Sequence, residues 1–523
     1  MSGFLYGFEA KEIQTFVFRS ARLKDMAGGS ELVNRLCESF LDDALAVFAD
    51  GSRSTVLSRG AGGARIHFAD KDAAHAFFAT WPLLVDRFAP GVRVVQSLVP
   101  FGTGASEAMD DCREQLRTAR NSPVPQLPEI GPVIDRSPLT GSAAVKWRPV
   151  PNGNSELVDR DLVRRGHYAS DRQSLLCKLA GDEHTDVRMW PFDFDQIASS
   201  DGKNAYLAII HADGNDLGTT IGDLLRGATS AGESDIELFT KFSTAVESST
   251  ELAAQEAFRT VLLTDVERRS VAGGDLPFYA ARPIVVGGDD LTIVVRADLA
   301  FGFLQRFLES FERTSAAELE RQGLKGRPGV PSCLTACGGI AFVKKSYPFH
   351  RAYGLCESLC AFAKKEAKAK RKPGGVVPSC LAFHRVTTSL SESFDEVREK
   401  ELTGADKLEL HAGPYSVGEH AGVMRRLGDL LDAAALIRPG KIPGGSVRKL
   451  VSELYRSRSA AKGGFARMLQ VSRDAGAEFR GALEALGGDR TCAIFTDDER
   501  VSILPDVHIA RSIIKDSEVT DND

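Results

Sequence analysis

Three aspartates carry the strongest chemical signal in this chain. Asp289 and Asp290 end the tetrapeptide Gly287-Gly288-Asp289-Asp290, and Asp213 opens Asp213-Gly214-Asn215-Asp216. Carboxylates drawn into one small volume repel one another unless a cation neutralises them. Mg²⁺ or Mn²⁺ does so while sharing its coordination sphere with substrate phosphates. Two such ions roughly 4 Å apart activate an attacking hydroxyl and stabilise a leaving pyrophosphate. That is nucleotidyl transfer, and it also needs protein cations for the phosphates. Lys364 and Lys365 open a run to Lys372 with six basic residues in nine, and they are the candidates for that task.

The flanking sequence says how these groups are held. Pro283–Val286 and Leu291–Val295 are short apolar runs on either side of the glycines, which reads as strand, tight turn, strand. Tyr206–Ala212 is an apolar strand that ends at Asp213, where Gly214 removes a side chain and lets a backbone or phosphate approach. The expected metal set is Asp213, Gly214, Asp289 and Asp290, with Asp289 and Asp290 as the catalytic pair. Gly287, Gly288, Asn215, Asp216, Lys364 and Lys365 are the expected nucleotide contacts. Taken singly, each motif has an ordinary explanation: Asp-Gly-Asn is a good turn sequence, and a basic helix end is commonly a solvated face. The ordered set of strand, carboxylate hairpin, strand and lysine-bearing helix favours a site.

With 523 residues the chain exceeds one hydrophobic core. Apolar residues make up 43% and charged residues 26%, an ordinary globular balance, and the net charge of −6 excludes a wholly basic nucleic-acid binder. No apolar run reaches the roughly 18 residues a bilayer span requires. No signal peptide is evident either, so a cytoplasmic protein without a membrane partner is expected. Nine cysteines, an odd number, suggest reduced thiols. Cys333, Cys337, Cys356 and Cys360 are expected to be buried structural residues rather than zinc ligands.

Four regions are expected. Residues 1–100 read as an α/β unit, with helical segments from Lys11 to Val47 broken at Gly28-Gly29. Residues 101–200 read as an irregular connector with little core of its own. Residues 201–400 form a second α/β unit, including a long helical pattern from Asp235 to Val271. Residues 401–523 read as mainly helical, ending in an acidic tail. The two α/β units share an outline, and the first has Gly62-Gly63-Ala64-Arg65 where the second has its acids. This suggests an internal duplication with one half lacking metal ligands.

Several stretches together resemble the large polymerase/cyclase subunit of type III CRISPR effector complexes, the Cas10 family. Glu9–Phe18 running into Leu23–Val33 looks like its first palm domain. Ala212–Gly218 and Val286–Asp290 look like its second. Gly338–Ala341, Tyr347–Ala352 and Ala363–Lys365 are similar to its closing strand and helix. The resemblance implies an α+β fold with two RRM/ferredoxin-like palm domains, a connector corresponding to a lost zinc-finger-like region, and a C-terminal helical domain. It implies synthesis of cyclic oligoadenylates from ATP, with Asp289 and Asp290 as the catalytic pair and Asp213 as the first-strand metal ligand. Lys364 and Lys365 match basic positions near the phosphates. Guide or target RNA and small complex subunits are the implied partners.

Two departures are expected. Many members begin with an HD nuclease, but here the palm-like sequence starts at Gly3 and no His-Asp dipeptide occurs, so no HD-type DNA cleavage is expected. The connector has only Cys112 and Cys177, so no structural zinc is expected. Two other functions compete: a catalytically silent RNA-binding scaffold of the same ribonucleoprotein, and a stand-alone cyclic nucleotide synthase not guided by RNA.

Overall fold

The structure is a computed structural model. It describes residues 3–49, 53–60, 62–102, 105–122, 133–150, 153–170, 173–198, 206–231, 235–271, 278–387, 393–420 and 422–514. The expected acidic tail lies outside them. By contacts the chain groups into two compact units: residues 1–197, 216–293 and 313–334, and residues 198–215, 294–312 and 335–523.

The first unit contains an antiparallel sheet of β1 (Gly3–Lys11), β2 (Ser54–Gly60), β3 (Gly63–Phe68) and β4 (Arg93–Phe101), in the order β2-β3-β1-β4. Side chains alternate across a strand, so β1 serves two cores. Tyr6 and Phe8 pack with Phe68, Phe77 and Trp81, the last two from helix Lys71–Phe88. On the opposite face, Leu5 packs with Met109, Cys112 and Leu116 of helix Ala105–Asn121. A Cβ on Gly7 would lie 2.5 Å from the Cys112 sulfur, so this helix needs glycine there.

Two expectations fail in this unit. Helix Leu23–Cys37 runs without a break through Gly28-Gly29. The glycines answer a packing demand: a Cβ on Gly28 would sit 2.1 Å from the Arg165 carbonyl oxygen of helix Arg160–Ala169. The stretch 101–200 is not an irregular connector without core. Helix Ala105–Asn121 completes the core of the first sheet. Beyond it come a two-stranded hairpin, β5 (Lys146–Pro149) and β6 (Ser155–Val158), and helices Arg160–Ala169 and Ser174–Ala180, with Leu162, Arg165, Leu176 and Trp190 fully buried. Their short apolar segments are interleaved with Pro, Ser and Asn, which hid the periodicity.

The larger sheet has six strands, in the order β12-β11-β10-β7-β9-β8. They are β7 (Tyr206–Gly214), β8 (Ala281–Gly287), β9 (Asp290–Arg296), β10 (Ala336–Lys344), β11 (Cys380–Arg385) and β12 (Tyr415–Ser416). β10 runs antiparallel to β7 and parallel to β11. Helix Phe349–Ala369 lies close on β10, because a Cβ on Gly339 would be 2.2 Å from the Cys356 carbonyl oxygen. Cys356 and Cys360 are buried beneath this helix, and the Cys360 thiol donates to the Cys337 carbonyl at 3.3 Å.

The long helical pattern from Asp235 resolves into helix Asp235–Ala257, a π-helical segment Phe258–Leu263 and helix Thr264–Val271. The C-terminal region is helical at Leu427–Ala435, Gly444–Leu454, Arg458–Ala485 and Leu504–Ile513. The fold class is therefore the expected mixed α/β one with a helical C-terminal part. No described helix is long and apolar enough to cross a membrane.

Candidate functional site

β7 brings two potential ligands to one place. Asp213 and His211 are two residues apart, so they share a face of the strand. Asp290 opens β9, the neighbouring strand. His211, Asp213 and Asp290 each offer a ligand atom, and these atoms all lie within 4.8 Å of one another. His211 was not among the residues expected from sequence. The signal was present in its two-residue spacing from Asp213, but a lone histidine in an apolar strand reads as core.

The cysteine ladder explains how a lysine arrives at this cluster. Cys356, Cys360 and Lys364 fall at successive turns of helix Phe349–Ala369, on the face laid along β10. β10 is paired with β7 so that Cys337 faces Asp213. Lys364 Nζ accordingly bonds the Asp213 carboxylate and donates to the Gly214 carbonyl at 2.8 Å. Lys365, one residue round the helix, is exposed.

The donor set fits a divalent cation. It has two carboxylates, the Gly214 carbonyl and an imidazole held neutral: burial foremost, with Lys364 adding to it, lowers His211 to about 4, although Asp213 opposes the shift. Carboxylate and carbonyl oxygens suit Mg²⁺ or Mn²⁺. Asp213 already holds a cation here, the Lys364 ammonium. Asp213, Gly214 and Asp290, with His211, are the residues that would hold the metal.

The hairpin geometry separates Asp289 from Asp290. Gly288 has φ 61° whereas Asp289 does not have positive φ, as expected when glycine takes the first position of a type II′ turn. Asp290 starts β9 beside the cluster. Asp289 and Gly288 instead line a cavity of about 420 Å³ together with Glu9, Arg59, Arg65 and Arg120 of the first unit. Arg65 is the residue that stands in the acid-free Gly62-Gly63-Ala64-Arg65 turn. It pairs with one oxygen of Glu9 at 2.6 Å, and Arg120 pairs with the other. Arg59 pairs with Asp42 at 3.0 Å. These arginines were not expected from sequence, because they are scattered over 60 residues that only the fold gathers.

The remaining expected residues have structural settings. Asn215 is buried, its backbone N–H donating to the Thr335 carbonyl at 2.8 Å and its amide to the Thr335 hydroxyl at 3.0 Å. Asp216 has φ 54° and leads into helix Leu217–Ala231. A Cβ on Gly287 would lie 3.6 Å from Lys178 Nζ.

Neutral burial of histidine has a pH consequence. Burial lowers both His211 and His508 to about 4, with Arg385 and Arg448 reinforcing the shift at His508. Between the unfolded value near 6.5 and that folded value the unfolded chain binds more protons, so stability falls as pH drops through this window. His211 alone accounts for about 3 kcal/mol of the loss. The melting temperature of chelator-treated protein is expected to drop steeply between pH 6.5 and 4, and more gently in a His508→Phe variant. A flat profile across that window would contradict the assignment.

Comparison with known proteins places this geometry. Residues 206–372 match the family model described as Cas10/Cmr2, second palm domain. No curated protein sequence matches the chain. Among solved structures, a Csm1–Csm4 cassette in complex with cA4 is similar at TM-score 0.52 and 12% identity, covering 98% of this chain and 70% of that one. The cassette in complex with pppApApA gives TM-score 0.53 at 13% identity, with 98% and 69% covered. The cassette with one ATP gives 0.51 at 14%, with 98% and 70% covered. At such identities these likenesses speak for the fold. Residues 206–372, which hold the carboxylate hairpin, thus match the Cas10/Cmr2 second palm domain, in a chain whose fold is similar to that of the Csm1–Csm4 cassettes.

Proposed function

We propose that this chain is a metal-dependent nucleotidyltransferase that makes cyclic oligoadenylate-type messengers from ATP, as the large subunit of a type III CRISPR complex. The observation that carries the reading is the convergence of His211, Asp213 and Asp290 within 4.8 Å, on the segment that matches the second palm. The similar cassettes hold ATP, a linear triadenylate and cA4, which supports adenine nucleotides as substrate and product.

In this proposal Asp213, Asp290 and the Gly214 carbonyl, with His211, would hold the divalent ion. When bound, the ion supplies Lewis acidity for a hydroxyl attack that expels pyrophosphate. Lys364, whose ammonium bonds Asp213 and the Gly214 carbonyl, would serve a phosphate oxygen where an ion balanced Asp213 in its place. The arginines beside Asp289 balance the charge of a polyphosphate in the cavity, and Gly287 and Gly288 let it approach the turn. A Csm4-like small subunit and guide or target RNA are the partners, and the setting is cytoplasmic.

The test is incubation with ATP and Mn²⁺ or Mg²⁺, with and without guide and target RNA, and mass analysis of the products. Pyrophosphate and cyclic or linear oligoadenylates are expected. Lys364→Ala should lower turnover roughly 10- to 100-fold, the loss of about 1.4–2.8 kcal/mol of phosphate stabilisation. Co-purification with RNA and no ATP turnover under any of these conditions would replace this reading with that of a silent scaffold.

A further inference from the structure

The carboxylate turn is bonded from behind by a residue that the chemistry above does not use. Thr250 is fully buried on helix Asp235–Ala257. Its hydroxyl lies 2.7 Å from the Gly288 carbonyl and 3.1 Å from the Val246 carbonyl one turn back. A hydroxyl has one proton to give. The Val246 carbonyl is the acceptor the helix ladder itself uses, whereas the Gly288 carbonyl belongs to a two-residue turn, so the shorter bond is the one with work to do. That bond fixes the Gly288–Asp289 peptide plane, and hence the direction in which Asp289 leaves the backbone.

The helix that carries Thr250 is itself anchored. Glu247 and Glu251 lie three residues before and one after it on the same helix face, and each meets Lys178 at 3.4 Å. Lys178 also binds Glu38 at 2.5 Å. It sits directly under the turn, within 3.6 Å of where a Gly287 side chain would begin. One ammonium thus ties three carboxylates into one cluster behind the hairpin.

We infer that Thr250 is a positioning residue for the carboxylate hairpin. It sets the Gly288–Asp289 peptide through its hydroxyl, on a helix held by the Lys178–Glu38–Glu247–Glu251 cluster. The inference deepens the nucleotidyltransferase reading and rests on it for its kinetic arm.

Thr250→Val keeps shape and removes the donor, while Thr250→Ser keeps the donor. Three measurements on the full chain test the role. Hydrogen exchange of peptides covering residues 284–295, compared with those covering β10, is read without any activity. Thr250→Val is expected to speed exchange in the hairpin at least 10-fold, leave β10 unchanged, and be restored by Thr250→Ser. With ATP and Mn²⁺, Thr250→Val is expected to lower kcat at least 10-fold with KM within twofold, and Thr250→Ser to recover half or more. Melting temperatures of all three proteins should agree within a few degrees. Unchanged hairpin exchange in Thr250→Val overturns the inference, as does a Thr250→Ser variant that behaves like Val, or a kinetic loss that appears wholly in KM. If the wild type turns over no ATP but the exchange pattern follows the donor, the positioning stands and the nucleotidyltransferase reading falls.

Discussion

Asp290→Asn is expected to abolish nucleotide transfer, with a fall of roughly 10³-fold or more in turnover. A bound metal contributes several kcal/mol of transition-state charge stabilisation, and each ~1.4 kcal/mol is tenfold in rate. Asparagine preserves shape but takes one negative charge from a set whose donor atoms lie within 4.8 Å of each other. The same variant should weaken Mn²⁺ binding measured by calorimetry or electron paramagnetic resonance. Asp289→Asn provides the contrast. Its side chain lines the arginine cavity, so its loss should fall on nucleotide handling and rate more than on the affinity of the ion at the His211–Asp213–Asp290 cluster. An Asp289→Ala, Asp290→Ala double variant with full activity would remove the catalytic assignment altogether.

Arg165→Leu is expected to give the largest loss of stability. The guanidinium is fully buried and bonds Asp161 at 2.6 and 2.7 Å. It also donates to the Phe16 carbonyl at 2.6 Å and the Val17 carbonyl at 3.1 Å, and lies 4.1 Å from the Phe16 ring centroid. Removing it strands one carboxylate and two carbonyls. Breaking a buried pair from one side costs about 3–5 kcal/mol, against about 5–15 kcal/mol for a whole folded domain. Burial already pushes the Asp161 carboxyl up in spite of Arg165, so loss of the guanidinium removes the group that opposes that shift. Replacing both partners, Asp161→Leu with Arg165→Met, should recover part of the loss. Denaturant unfolding of wild type and both variants measures this, and an Arg165→Leu variant as stable as wild type would show that the pair carries no such load.

How much was legible in advance differs by element. The strands at Tyr206 and Leu291 were readable because each is a short, nearly unbroken apolar run bounded by glycine and aspartate. The turn at Gly287–Asp290 was readable because glycine and aspartate are the residues its backbone requires. Gly28-Gly29 was misread for a related reason: glycine marks a turn or a close approach equally well, and only the Arg165 carbonyl at 2.1 Å from the missing Cβ shows which. The 101–200 stretch was misread because its helix Ala105–Asn121 finds its core on a sheet made by other residues.

The site divides in the same way. Composition and local pattern alone determined that this chain has carboxylates at strand ends and a tight turn, and a helix bearing lysines, because those features depend on residues next to each other. Only the tertiary structure decided which of them meet. The pairing of Cys337 with Asp213 and the close seating of helix Phe349–Ala369 on Gly339 bring Lys364, not Lys365, to the cluster. Alternation along β7 adds His211. A type II′ turn sends the neighbouring Asp289 and Asp290 to different surroundings. Sequence specifies which groups are available, but distances between strands are set by register and by how closely helices pack on them, and those are decided by residues far apart in the chain.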